Sequence, residues 1–418
     1  MKLSWRILDR LAKQYGPSFY LFDGAAFDRN YTELLAAFRR HYPRTSLAYS
    51  YKTNYLPLLC QRAHDLGGYA EVVSDMEYEL ARRVGVPPSK IIFNGPYKDD
   101  DAVIRALCDG ALVNLDSAAE LSLVQAAARQ SAGRVLRVGL RCNFDFGASG
   151  VSRFGIDAAG DALAATIAKL RRIKQCRIDG LHCHFMPPGR SPAAYAAITA
   201  GMLRLSRELF GAQPPALLDI GGGFCGPMPP ELASQFDFKI PAFHEYAQAI
   251  AGQFAKAFPG ENGPELILEP GIAVAADVLK FVAKVISFKA IRGKNYALLA
   301  GSVYDIKPTK NAKNLPLDRF PCPGKGRQYS GPLDLVGYTC MEDDCLYRNY
   351  TGPLAVNDYV VFHNVGAYTI VLKPPFIAPA APVLAASATG KGKFEVVRRR
   401  ETFDDIFATY VFDTAPAL

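Results

Sequence analysis

The sequence is poor in the residues that staple or mark specialised folds. Its 418 residues include one tryptophan, six histidines and nine cysteines. The cysteines are odd in number and none forms a Cys-x-x-Cys pair, which argues against a disulfide framework and a zinc ribbon. No apolar run reaches the ~18 residues of a transmembrane helix. Lys2, Arg6, Asp9 and Arg10 interrupt the N-terminus before a signal-peptide core can form, and Trp5, Leu8, Leu11, Ala12 and Tyr15 follow helical spacing instead. Long runs of one charge are also missing: the densest, at 171–174 and 398–400, hold three cations each. A net charge of +8 spread this thinly is a solvated basic surface before it is a nucleic-acid site, and an anionic cofactor or substrate also fits it. These absences point to a reduced, cytoplasmic protein of enzyme size, without nucleic acid or membrane as partner. Half of the residues are hydrophobic and 21% are charged, a globular composition at a length of two or three domains.

What the chain does have is repeated alternation. Short β-rich runs lie at 46–52, 68–74, 91–96, 111–117, 134–143, 178–185, 216–223 and 266–271. Helical periodicity fills most intervals, at 56–66, 76–84, 118–129, 161–174, 193–210 and 243–258. Eight strands alternating with helices in about 225 residues predict a parallel (β/α)8 barrel of the TIM type. The flanks read as β: a strand within 16–23, then 278–288, 296–300, 335–340, 359–362 and 394–398. The segments 307–331 and 377–388, rich in Pro, Gly, Lys, Asn or Ala, read as irregular. The expected division is a barrel over 30–275 and a mostly-β domain from 1–29 and 276–418.

In such a barrel the C-terminal strand ends face the active site. Those ends carry Lys52, Glu71 and Ser74, Asn94, Asp116, Arg141, His182 and His184, Gly221–Gly223 and Glu269. Period-2 alternation puts Ala48, Ser50 and Lys52 on one face. A lysine facing a barrel interior is costly when charged, and the same cost makes its amine a nucleophile for carbonyl carbon. The alternative is a lysine reaching the barrel mouth or pairing with a carboxylate. Gly221, Gly222 and Gly223 end an apolar strand, either as a backbone nest for phosphate or as a tight turn. Gly221, Gly223 and Gly226 match a dinucleotide pattern weakly, since prolines stand where its helix should open. Glu269 suits the protonated ring nitrogen of pyridoxal phosphate, or a rim ion pair. His182 and His184 share a strand face, as a metal pair or as one ring packed on a flat cofactor. The other histidines occupy no strand end, so no metal is expected.

Together these residues resemble the alanine-racemase-fold (fold type III) pyridoxal-phosphate-dependent decarboxylases, the group of diaminopimelate and ornithine decarboxylases. The motifs are Tyr49-Ser50-Tyr51-Lys52-Thr53-Asn54, Glu71-Val72-Val73-Ser74 with Glu77, Asn94-Gly95-Pro96-Tyr97-Lys98, Ser152-Arg153-Phe154-Gly155-Ile156, Gly180-Leu181-His182-Cys183-His184, Gly221-Gly222-Gly223-Phe224, Glu269-Pro270-Gly271, Cys340-Met341-Glu342-Asp343-Asp344 and Gly366-Ala367-Tyr368.

The resemblance implies pyridoxal 5'-phosphate bound covalently by Lys52, with His184 stacked on its ring and Glu269 on the pyridine nitrogen. It implies that Gly221, Gly222 and Gly223 contact the phosphate, and that Arg141 and Glu71 lie around the ring. Tyr368 is implied to reach the phosphate across a head-to-tail homodimer, and Cys340 to return the proton to the product. Glu342 and Tyr304 are candidates for substrate contact. Three departures stand out: Pro187 replaces a phosphate-binding serine, Ile272 an arginine, and Met341 the acidic residue after the cysteine. They point to a divergent amino-acid decarboxylase with another substrate, in specialised metabolism. A racemase of the same fold, a non-catalytic cofactor-binding homologue and a metal-dependent barrel hydrolase are the alternatives.

Overall fold

The computed structural model describes residues 3–147, 150–260, 262–324, 329, 331–387 and 393–412. The chain divides into two compact units, one of Ala25–Pro227 and Phe236–Ala276, the other of Met1–Gly24, Met228–Gln235 and Asp277–Leu418. Strand β1 (Ser18–Phe22) belongs to the second unit. The first unit contains β2 (Thr45–Ser50), β3 (Tyr69–Val72), β4 (Ile91–Phe93), β5 (Leu112–Leu115), β6 (Leu136–Asn143), the two-residue β7 (Ile156–Asp157), β8 (Cys176–His182), β9 (Leu217–Gly222) and β10 (Glu265–Glu269). Except for β7, these pair in parallel in the order β5-β4-β3-β2-β10-β9-β8-β6, and β6 closes on β5. The result is the eight-stranded barrel that the alternation predicts.

Helices lie between the strands. Two of them, Gly24–Arg39 and Asp100–Asp109, fill intervals that the periodicity reading passed over. Local chemistry sets where helices begin. Ser74 caps Asp75–Arg83 by accepting the Glu77 N–H, while Glu77 turns back to accept the Val73 N–H at 2.8 Å. Ser191 and Pro192 open Pro192–Phe210 in the same spirit, the serine accepting the Ala194 N–H and the proline fixing the first turn.

The barrel interior is layered by strand periodicity. Ala48, Tyr69, Ile92, Leu112, Leu217 and Ile267 form one apolar cluster, each at or under 8% exposure. Two residues further along the same six strands stand Ser50, Glu71, Asn94, Asn114, Asp219 and Glu269. Side chains two apart in a strand share a face, so a buried polar layer caps the apolar one towards the C-terminal mouth.

The second unit holds β11 (Leu279–Ile291), β12 (Lys294–Leu299), β13 (Leu317–Phe320), β14 (Leu333–Val336), β15 (Cys345–Tyr350), β16 (Tyr359–Phe362), β17 (Val383–Ala386) and β18 (Phe394–Arg398). Their sheet runs β15-β14-β12-β11-β1-β17-β18, with β16 between β11 and β13. Strands β13 and β17 correct the irregular reading of 307–331 and 377–388; they are four residues long and gain their pairing from distant partners. The strand expected over 335–340 ends at Val336, and the chain then bends. Among the described residues no helix is long and apolar enough to cross a membrane.

Candidate active site

The polar layer is a connected network. Asn114 Nδ2 donates to Asn94 Oδ1 at 2.7 Å, and Asn94 Nδ2 donates to both Glu71 Oε1 and Glu269 Oε1. Glu71 accepts from Ser50 Oγ and pairs with Lys52, whose Nζ also donates to Ser50 Oγ at 2.7 Å. Lys52 itself lies in a 3-10 turn, Tyr51–Thr53, just past β2 rather than within it. The expected common face with Ser50 nevertheless survives, as their hydrogen bond shows.

Glu269 lies between two imidazoles. His182 Nε2 stands 3.4 Å from Oε1 and His184 Nδ1 3.3 Å from Oε2. Burial alone would raise the Glu269 carboxyl, but His182, His184 and the Lys52 ammonium outweigh it and hold the group well below the usual carboxylate range. Asp219 behaves oppositely. Burial, then the charge of Glu269, push its carboxyl well above its ordinary value, although Oδ1 accepts the Gly221 N–H at 2.8 Å. Of these two acids Glu269 keeps the charge and Asp219 the proton. His182 and Glu269 also offer ligand atoms with His184 within 4.8 Å of one another, so a metal is chemically possible there. Burial lowers the His182 imidazole, against the Glu269 charge, which raises it.

Arg141 donates to Asp116 Oδ1 at 3.1 Å and lies 4.6 Å from the Phe154 ring centroid. Gly221 and Gly223 have φ of 73° and 88°, the left-handed region that favours glycine. A Cβ on Gly222 would stand 2.0 Å from the Glu269 carbonyl oxygen, so this glycine is required by packing between β9 and β10. No helix opens at Gly226; the next one, Pro230–Ala233, is a single turn. Ser74 is used as a helix cap, outside the network.

The donor set fits pyridoxal phosphate: an amine for its aldehyde, a buried ionised carboxylate for its ring nitrogen, and left-handed glycines for its phosphate. Buried atoms without a hydrogen-bond partner, Asp219 Oδ2, Asn114 Oδ1, Thr53 Oγ1 and His182 Nδ1, are consistent with a polar guest. Motif reading singled out Lys52, Glu71, Asn94, Arg141, His184 and Glu269, which the barrel brings together. It passed over Asn114 and Asp219, whose signal was a polar residue inside an otherwise apolar strand.

The remaining candidates belong to the second unit. Cys340 is exposed, on the bend after β14, and so is Glu342. Asp344 is buried and accepts from Val303 N at 2.6 Å, Thr339 N at 2.9 Å and Thr339 Oγ1 at 2.7 Å, fixing the bend that carries Cys340. Tyr304 packs on Phe376, with Lys310 Nζ 5.1 Å from its ring centroid. Tyr368 has φ of 54°, a strained setting for an aromatic residue.

Residues 29–276 match the family described as pyridoxal-dependent decarboxylase, pyridoxal binding domain. Diaminopimelate decarboxylase of Methanocaldococcus jannaschii is 25% identical, over 95% of this chain and 92% of its own length. L-glutamyl-[BtrI acyl-carrier protein] decarboxylase of Niallia circulans is also 25% identical, over 98% of this chain and 97% of its own. The crystal structure of the M. jannaschii diaminopimelate decarboxylase with L-lysine shares the fold at a TM-score of 0.84 and 24% identity, covering 97% of this chain and 94% of that one. The family match spans more than half of the 418 residues and contains the whole polar layer, so this chain belongs to the pyridoxal-dependent decarboxylases.

Proposed function

We propose that this pyridoxal-dependent decarboxylase removes the α-carboxylate of an α-amino acid at the C-terminal mouth of its barrel. The observation that carries the reading is the buried layer in which Lys52 pairs with Glu71 while Glu269 is held ionised between two imidazoles. Lys52 would hold the cofactor's aldehyde carbon, Glu269 its ring nitrogen, His184 and Arg141 its ring, and Gly221–Gly223 its phosphate. When bound, pyridoxal phosphate supplies the electron sink for the pair left at the α-carbon as CO2 departs. Glu269 would keep a proton on the ring nitrogen, because an ionised neighbour favours the cationic form. Asn94 holds Glu71 and Glu269 in register through one amide.

Cys340 returns a proton to the α-carbon, and its exposed position on a rigidly fixed bend supports a role towards a second subunit. The strained Tyr368 supports the same reading, a head-to-tail homodimer in which the β domain (1–29 and 276–418) completes a neighbour's barrel (30–275). Tyr304 and Glu342 are proposed substrate contacts, and the cytoplasm the proposed location. Pro187, Ile272 and Met341 support a substrate other than diaminopimelate, in a specialised pathway. The two similar relatives act on different amino-acid substrates by name, which supports the class and leaves the side chain to this chain's own residues.

The test is purification with pyridoxal phosphate, a visible absorption band, and borohydride reduction that fixes the cofactor mass on the Lys52 peptide. CO2 release is then followed over a panel of amino acids. Folded protein that takes up no cofactor, or carries a catalytic metal instead, would overturn the reading.

A further inference from the structure

A cavity of about 1010 Å3 opens from Arg141 and His184 between residues 143–146, 150–159 and 184–188 of the barrel unit. Part of its wall is aromatic: Phe185 meets Phe144 edge-on with ring centroids 5.1 Å apart and lies tilted against Phe146 at 4.8 Å. At its rim Val151 is 95% exposed and Met186 57%, apolar surface that an apolar occupant would take out of water.

The charges are few and unevenly committed. Arg141 is neutralised by Asp116. Asp145 and Asp157 turn back on their own loops, accepting the N–H of Gly147 at 2.7 Å and of Ala159 at 2.9 Å. Arg153 lies 4.0 Å from the Phe154 ring centroid and has no carboxylate partner among the described residues. The cavity thus offers a cluster of phenylalanine rings set among polar residues, and a guanidinium without a carboxylate partner among the described residues. Its size is at the top of the ~300–1,000 Å3 range for small-molecule sites.

We propose that this cavity receives an α-amino acid tethered through its side-chain carboxyl to a phosphopantetheine arm, with Arg153 taking the phosphate. The inference rests on the decarboxylase reading of the site. That reading dictates where the tether attaches, because the α-amino group and the α-carboxylate must both be free. The reaction balances as R–CH(NH3+)–COO− plus H+ giving R–CH2–NH3+ plus CO2, and the thioester within R is untouched. The arm's methylenes and dimethyl carbon suit the phenylalanine walls, and its phosphate suits a planar guanidinium.

The experiment is calorimetric titration of the cofactor-loaded protein with 4'-phosphopantetheine, with pantetheine and with free L-glutamate. Phosphopantetheine is expected to bind, with removal of its phosphate or Arg153→Gln each weakening binding roughly 10- to 100-fold. Phe146→Ala is expected to weaken both arms alike. Equal binding of the two arms, indifference to Arg153→Gln, or binding of free glutamate alone would overturn the proposal. Cofactor absorbance, unchanged in Arg153→Gln, separates this outcome from failure of the decarboxylase reading itself.

Discussion

Lys52 and Glu71 form an ion pair at the barrel mouth, the lysine side chain 31% exposed and the carboxylate 1%. Glu71 is therefore the adjacent acceptor for the proton the amine must lose before it attacks an aldehyde. Glu71→Gln keeps the hydrogen-bonding shape but cannot accept that proton. Cofactor incorporation, followed by absorbance after mixing, is expected to slow by roughly 10²-fold. An unchanged loading rate would remove Glu71 from that step.

Glu269→Gln preserves an acceptor for Asn94 and removes the charge between the two imidazoles. Turnover is expected to fall roughly 10²- to 10³-fold, because the ring nitrogen loses its ionic partner. Thermal stability of the cofactor-free protein is expected to fall as well, since the neighbours that hold this carboxylate ionised lose their partner. Steady-state rates and a melting curve together check both effects.

Glu77 gives a pH signature in stability. Burial, then the Glu71 charge, push its carboxyl up to about 7, and the fold therefore favours its protonated form. That contribution is full below about pH 4.5 and is lost as pH rises through about 7, amounting to about 3 kcal/mol. Glu77→Gln keeps an acceptor for the Val73 N–H and cannot titrate. Urea unfolding at pH 5 and pH 8 should show the variant gaining on the parent protein by that amount.

Gly222→Ala forces a Cβ to within 2.0 Å of the Glu269 carbonyl oxygen, so β9 and β10 must separate. A loss of roughly 1–3 kcal/mol of stability is expected, with weaker cofactor retention on dialysis.

Cys340→Ala is expected to slow proton return roughly 10²- to 10⁴-fold, read as turnover and as the deuterium content of product formed in D2O. Unchanged turnover would move that step to another residue.

The barrel was legible because strand periods recur eight times, with helical periods in most of the intervals, and most strands end on a polar or glycine residue. The network inside it was legible only at those ends. Asn114 and Asp219 sit one period short of the mouth, and their meaning comes from neighbours across the barrel, Asn94 and Glu269. Lys52 was placed on the correct face but in the wrong element, because a 3-10 turn of three residues leaves little trace in a local pattern. Strands β13, β15 and β17 escaped for a related reason. Their pairing is set by partners far along the chain, which no local window contains.

Strand β1 lies inside its sheet, antiparallel to β11 on one side and parallel to β17 on the other. On the ribosome it is made before both partners: β11 appears only after roughly 250 further residues, and β17 later still. The barrel strands are complete before either partner is synthesised, so the barrel can fold while β1 waits, unpaired and apolar, on its N-terminal side. Timing of synthesis, as much as thermodynamics, thus governs how safely this chain reaches its native state.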